Sequence, residues 1–150
     1  MQCKFDITLD MGVEALYGYL SSVIDDFNPG AANPSGLQGY VEKLVQNGRV
    51  IAAISLSSTR VVVGILAGYF NNPDQGFSYV SAFHVRIPFR RMRIGKMLMD
   101  KAVEISRFGG FESIRLKVDK QNLGGIGFYE RFGFAKIGED EKQFEMIYSI

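Results

Sequence analysis

Residues 122–134 read Asn-Leu-Gly-Gly-Ile-Gly-Phe-Tyr-Glu-Arg-Phe-Gly-Phe, a stretch that begins like a helix yet carries three glycines near its start. Asn122 suits an N-cap and follows a short alternating run, so the helix opens directly after a strand. Glycines at 124, 125 and 127 strip side chains from one face and let a narrow, extended ligand lie against the backbone. Tyr129 comes one turn past Gly125, where its hydroxyl reaches back over that groove. Taken alone, Phe128 and Tyr129 read more readily as core aromatics. The choice depends on what the rest of the chain places opposite the tyrosine.

At 150 residues the chain reads as a single domain, 1–150, large enough for a substantial core. Apolar residues make up 47% and charged residues 22%, a soluble globular balance. The formal net charge of +1 gives no reason to expect nucleic acid or an anionic membrane as partner, so any phosphate-binding role must come from a local cluster. The opening MQCKFDITLD has charges where a signal peptide needs an apolar stretch. Val61 to Phe70, the longest uncharged apolar run, is about half the length of a membrane-crossing helix. A cytoplasmic location is the resulting expectation. Cys3 is the single cysteine, which excludes an internal disulfide and a multi-cysteine zinc site; no metal is expected.

The period of the apolar residues orders the chain. Val13, Leu16, Tyr17, Leu20, Ile24 and Phe27 share a helical face, with Asp10 as the expected cap. Asn28 to Ser35 is a loop by composition, and Ser35 with Gln38 fits a capping box for a second helix that Gly48 ends. The runs 50–57, 60–70 and 77–85 are short, β-branched or aromatic, and read as strands. Ile94, Met97, Leu98, Ala102 and Ile105 mark a third helix, closed by Gly109-Gly110. Ile114, Leu116 and Val118 alternate as a strand, the 122–134 segment is the fourth helix, and Phe144 to Ile150 alternate as a last strand. The order predicts an α+β or mixed α/β domain.

A second junction stands out, Val85-Arg-Ile-Pro-Phe-Arg-Arg-Met-Arg-Ile-Gly-Lys96, where a strand passes through a short loop into a helix. Four arginines and a lysine gather there in a nearly neutral chain. A helix N-terminus with free N–H groups suits a phosphate or pyrophosphate, Gly95 admits a close backbone approach, and arginines can hold further oxygens. A solvated basic helix start is the plainer alternative. A nucleoside-triphosphate P-loop is excluded, because Arg90 and Met97 stand where that pattern needs Gly and Ser or Thr.

Together the two junctions resemble the GNAT (GCN5-related N-acetyltransferase) superfamily over nearly the whole chain. NLGGIGFYERFGF is similar to the family's Asn-x-x-Ala-x-x-x-Tyr-Glu-Lys-x-Gly-Phe element, with Gly125 in place of the usual alanine. The basic loop departs from the family pattern Gln/Arg-x-x-Gly-x-Gly/Ala. Arg93 stands where the first glycine belongs, and it is strained there if the position needs a positive φ. The resemblance implies a central mixed sheet of six to seven strands flanked by about four helices. That sheet would be splayed between the strand ending at Val85 and the strand 113–119.

It also implies an acyltransferase that uses acetyl-CoA and acetylates a primary amine of a small molecule or peptide, as a monomer or homodimer. A non-catalytic acyl-CoA-binding module of the same fold is the alternative. Phe83, His84 and Val85 would pair through their backbone with pantetheine, and Arg90, Arg91, Met92, Arg93, Ile94, Gly95 and Lys96 would hold the pyrophosphate. Asn122, Gly125 and Phe128 would line the pantetheine arm, Arg131 would reach the nucleotide end, and Tyr129 would be the general acid toward the departing thiolate. The second proton, on the amine, is less legible. Tyr79, Ser81, Phe83 and Val85 are expected on one strand face and Val80, Ala82 and His84 on the other, with no Asp or Glu between Asp74 and the strand end. Tyr79 and Ser81 are therefore expected to position a water. His84 reads as structural or as a base on the wrong face, and Asp25-Asp26 as a solvated helix end or a contact on the acceptor side.

Overall fold

The structure, a computed structural model, describes residues 4–27, 36–57 and 59–150. The expected 28–35 loop, its Ser35 cap and Cys3 lie outside the described residues. In chain order the elements are β1 (Phe5–Leu9), α1 (Val13–Ser22), α2 (Leu37–Asn47), β2 (Arg49–Ser55), β3 (Val61–Tyr69) and β4 (Phe77–Val85). Then come α3 (Ile94–Phe108), β5 (Ser113–Asp119), α4 (Leu123–Phe132), β6 (Ala135–Glu139) and β7 (Gln143–Ser149). No helix among the described residues is long and apolar enough to cross a membrane.

The strands form one seven-stranded sheet in the order β1-β2-β3-β4-β5-β7-β6. Its pairs are antiparallel except β4 with β5, which run parallel because α3 carries the chain across between them. Each face has its own core. On one, Leu16 and Leu20 of α1 and Val41 and Leu44 of α2 cover Val50, Ala52, Ile65, Ala67 and Ala82. On the other, Leu98, Met99 and Ala102 of α3 and Ile126 and Tyr129 of α4 cover Ile51, Leu66, Ile114, Leu116 and Met146. β2 and β3 are buried on both faces, which is why they read as continuous apolar runs rather than alternating ones.

Two strands went unread in the sequence. β1 is a five-residue edge strand, and β6 exposes all five of its residues, so neither shows a clear apolar alternation. Asp10 is not the cap of α1. Gly12 takes that position without a side-chain bond, while Asp10, at φ 61°, holds the Arg49 guanidinium at 3.1 Å.

The register of β4 sets the site. It pairs with β3 from Tyr79 to Val85, but Ala67 faces Ala82 and Gly68 faces Val80, leaving Ser81 as an extra residue. This bulge reverses the alternation beyond it and corrects the expected faces. Val80, Phe83 and Val85 lie on the α3 side, whereas Ala82 lies with the α1–α2 core, as do Tyr69 and therefore its cross-strand partner Tyr79. A Cβ on Gly68 would sit 2.3 Å from the Tyr79 carbonyl oxygen, so the bulge and the glycine require each other. Gly68→Ala is expected to lower the unfolding free energy by roughly 3 kcal/mol, the upper part of the overpacking range. Gly18→Ala, in α1 with nothing within 4 Å of its added methyl, is expected to raise it by about 0.5–1 kcal/mol. Urea denaturation of the two variants checks both signs.

Candidate active site

β4 and β5 are paired from Phe77↔Ser113 only as far as Val80↔Leu116, although β4 runs on to Val85 and β5 to Asp119. Beyond that point the strands part, and the β5-facing edge of β4 has no strand partner among the described residues. On the α3 side the opening lies above an aromatic floor. Phe83 stands 5.2 Å from Phe128 and 5.9 Å from Tyr129, and Phe134 closes on Tyr129 at 5.6 Å, centroid to centroid. Because β4 and β5 are parallel, the N-termini of α3 and α4 open at the same sheet edge.

At the start of α3 the first helical bond runs from the Met97 amide to the Arg93 carbonyl, which leaves the amides of Ile94, Gly95 and Lys96 ahead of the ladder. Arg93 is the N-cap at φ 64° and ψ 16°, and Arg91 also has a positive φ, 65°. The position that the family pattern gives to glycine is thus left-handed here, with an arginine in it. Arg91 and Arg93 have no ion-pair partner among the described residues, while Lys96 is paired with Asp100 at 2.7 Å. Met92 is exposed, and the Ile94 side chain is buried in the α3 core. Gly95 answers a packing need rather than the expected ligand approach. An added Cβ would stand 3.1 Å from Phe128 and 3.3 Å from Phe83. Arg90 turns away from the helix start. Its Nε donates to the Val85 carbonyl at 2.9 Å and its Nη2 pairs with the Asp26 carboxylate.

In α4 the Asn122 side chain accepts from the Gly125 amide at 2.9 Å, the N-cap expected from the sequence. That cap explains one glycine, since a Cβ at 125 would meet the Asn122 amide at 2.5 Å. A Cβ at Gly127 would stand 3.0 Å from the Arg131 guanidinium, and only Gly124 of the three faces open space. Arg131 has no ion-pair partner among the described residues. The Tyr129 ring is buried, and its hydroxyl has no hydrogen-bond partner among the described residues. Burial pushes its phenol far above the ordinary tyrosine value, so the hydroxyl keeps its proton throughout the usual pH range.

The α1–α2 face holds contacts that the sequence did not reveal. Tyr40 of α2 donates to the Ser81 carbonyl at 3.2 Å and shares a hydrogen bond with its hydroxyl at 2.9 Å, which ties down the bulge. Burial pushes the Tyr40 phenol up to about 12. His84 is buried beneath α1. Its Nε2 donates to Asp26 at 2.6 Å, and its Nδ1 accepts from the Tyr19 hydroxyl at 2.8 Å, the tautomer that satisfies both bonds. Burial holds the imidazole below its ordinary value despite the hydrogen bond and charge of Asp26. For Asp26, burial alone acts upward, but the His84 hydrogen bond and the Arg90 and His84 charges outweigh it and keep the carboxyl low. Asp25 and Asp26 are exposed just past the end of α1, as expected of a solvated helix end, but the Asp26 carboxylate is already engaged by His84 and Arg90.

The Acetyltransferase (GNAT) family profile matches residues 18–134. The protein named "Probable N-acetyltransferase san" of Drosophila melanogaster is 28% identical over 98 residues, which is 65% of this chain and 53% of that protein. The chain spans about half or less of the length of the curated relatives it matches. Among solved structures, Arabidopsis thaliana NAA60 in complex with a bisubstrate analogue superposes with a TM-score of 0.79 at 15% identity, over 97% of this chain and 99% of that one. PaiA N-acetyltransferase of Thermoplasma acidophilum, in complex with coenzyme A, gives 0.76 at 19% identity, over 98% and 99%. At these identities the superpositions establish the fold.

Two outcomes follow from the local geometry. The folded chain favours neutral His84, so its contribution to stability is complete above the ordinary imidazole value and is lost as pH falls through the lower folded value. Asp26 acts in the same sense, but below the ordinary carboxylate value. Between pH 7 and pH 5 the melting temperature should therefore fall further in the unaltered chain than in His84→Gln. Arg93→Gly removes a left-handed arginine that costs about 1 kcal/mol, and a melting temperature that rises by a few degrees is the expected reading.

Proposed function

The chain belongs to the GNAT family of acetyltransferases, and from that premise we propose that it is an N-acetyltransferase that passes an acetyl group directly from acetyl-CoA to a primary amine. The parting of β4 from β5 over a floor that includes Tyr129 carries this reading. Backbone polar groups on an unpaired strand edge need partners, and an amide-bearing pantetheine arm provides them as an added strand does. The amides of Ile94, Gly95 and Lys96, with Arg91 and Arg93 beside them, suit the pyrophosphate, and Arg131 suits the nucleotide end. Gly124 leaves open space along the arm's side of α4. Arg90 is already engaged by Asp26, so we assign it a supporting role instead of a phosphate contact.

Acetyl-CoA supplies a thioester carbonyl that an amine nitrogen attacks, forming C–N as C–S breaks. Tyr129 stands on α4 with a protonated, unpartnered hydroxyl, and we assign it the proton for the departing sulfur. Its raised pKa makes full transfer uphill, so it acts mainly as a hydrogen-bond donor to charge developing on sulfur. On the amine side β4 carries no carboxylate, and Tyr79 is the hydroxyl left to hold a water that takes the ammonium proton. Ser81 is held by Tyr40 and shapes that position rather than moving a proton. A coenzyme-binding module without turnover shares every feature except the last two, and a panel of amine acceptors with free CoA as readout separates the readings.

Tyr129→Phe keeps the ring and its contacts, so folding and acetyl-CoA affinity should stay within a factor of a few. Loss of a proton donor costs about 10²- to 10⁴-fold in rate, and the deficit should fall on kcat. A donor with a more acidic leaving thiol should recover part of it. Equal kcat for the two proteins would reduce Tyr129 to a packing residue.

A further inference from the structure

The loop between β4 and α3 has a shape that its own sequence does not favour. Arg91 and Arg93 both take positive φ, 65° and 64°, without the freedom of glycine. Such conformations persist only where surrounding contacts fix them. Two short backbone bonds close one turn, Phe89 to Arg86 and Arg90 to Ile87. Arg86 donates to the Val62 carbonyl at 2.9 Å and to the Ser22 hydroxyl at 3.1 Å. The residue next to Arg91 is Arg90, and its guanidinium spans from the Val85 carbonyl to the Asp26 carboxylate.

Asp26 comes from the other side of the sheet, after α1, and is itself fixed. His84, 6% exposed, donates to it, and Tyr19 donates to His84 in turn. A line of hydrogen bonds therefore runs from α1 through β4 into the loop that opens α3. A cavity of about 310 Å³, whose lining includes Ser22, Val23, Asp25, Asp26, His84 and Arg86, lies beside this line. We propose that Asp26 is a positioning residue for acetyl-CoA binding, acting through Arg90 to hold the 86–93 loop in the shape that presents the α3 amides and Arg91 and Arg93. The proposal rests on the acetyl-CoA reading above. It opposes a simpler role, in which Asp26 withholds Arg90 from the phosphates, because that role gives the opposite sign on removal of the carboxylate.

Calorimetric titration with acetyl-CoA tests it on the full chain, comparing the unaltered protein with Asp26→Asn, Arg90→Gln, the double variant and Tyr19→Phe. Asp26→Asn and Arg90→Gln are each expected to weaken binding about tenfold, within the range of couplings inside one hydrogen-bonded network. The double variant should lose no more than either single change, since both break one link. Tyr19→Phe removes the outermost bond of the line, the one to His84, so it should lower the melting temperature and weaken binding by less than Asp26→Asn does. Where Asp26→Asn does not fold, Asp26→Glu replaces it, because a displaced carboxylate is expected to give the same loss. No binding by the unaltered chain would end the acetyl-CoA reading, and the proposal with it. Binding by the unaltered chain with an Asp26→Asn affinity equal or tighter, or additive losses in the double variant, would overturn the proposal alone.

Discussion

Strand β4 hydrogen-bonds to β3 up to its last residue but to β5 only from Phe77 to Val80, and the rest of the site is arranged around that inequality. The extra residue at Ser81 falls just where the second set of bonds stops. It turns the next side chains over, so Phe83 joins the α3 core while Ala82 and His84 go to the α1 side. Tyr40 holds the bulge from one face, and Gly68 admits it from the neighbouring strand. A chain without that interruption would continue the sheet and bury the edge that now stands open.

Much of this was legible in the sequence because it is local. The Asn122 cap, the β4 boundaries and the Gly109 stop each depend on a few neighbouring residues, and all stand where the local sequence pattern put them. The faces of β4 were misassigned because a period of two assumes no bulge, and the bulge is set by Gly68 on another strand. β6 left no trace because every one of its residues is exposed, so no apolar rhythm marks it. The partners of Asp26 were out of reach for a different reason. They lie 58 and 64 residues away in the chain and meet it only through tertiary packing.

The glycines divide in an instructive way. Those near the start of α4 suggested clearance for a ligand, yet Gly125 makes room for its own helix cap and Gly127 for Arg131. Gly95 makes room for two phenylalanines that bring β4, α3 and α4 together under the opening. Meanwhile Arg91 and Arg93 occupy left-handed positions where glycine would be unstrained. Clearance and conformational freedom are separate demands, and here they fall on different residues.

Among the described residues, the parallel contact between β4 and β5, extended by the Glu112 amide on the Gly76 carbonyl, is the strand pairing that joins two antiparallel blocks, β1 to β4 and β5 with β7 and β6. Four paired positions and the helices packed across them hold the blocks together. Local opening follows the weakest backbone pairing, so the seam should exchange its amide hydrogens sooner than the centres of either block. Any molecule that fills the opening and bonds to the free edge of β4 would stitch the seam. Slower exchange at residues 81–85 and 117–119 would then register occupancy of the cleft without any turnover.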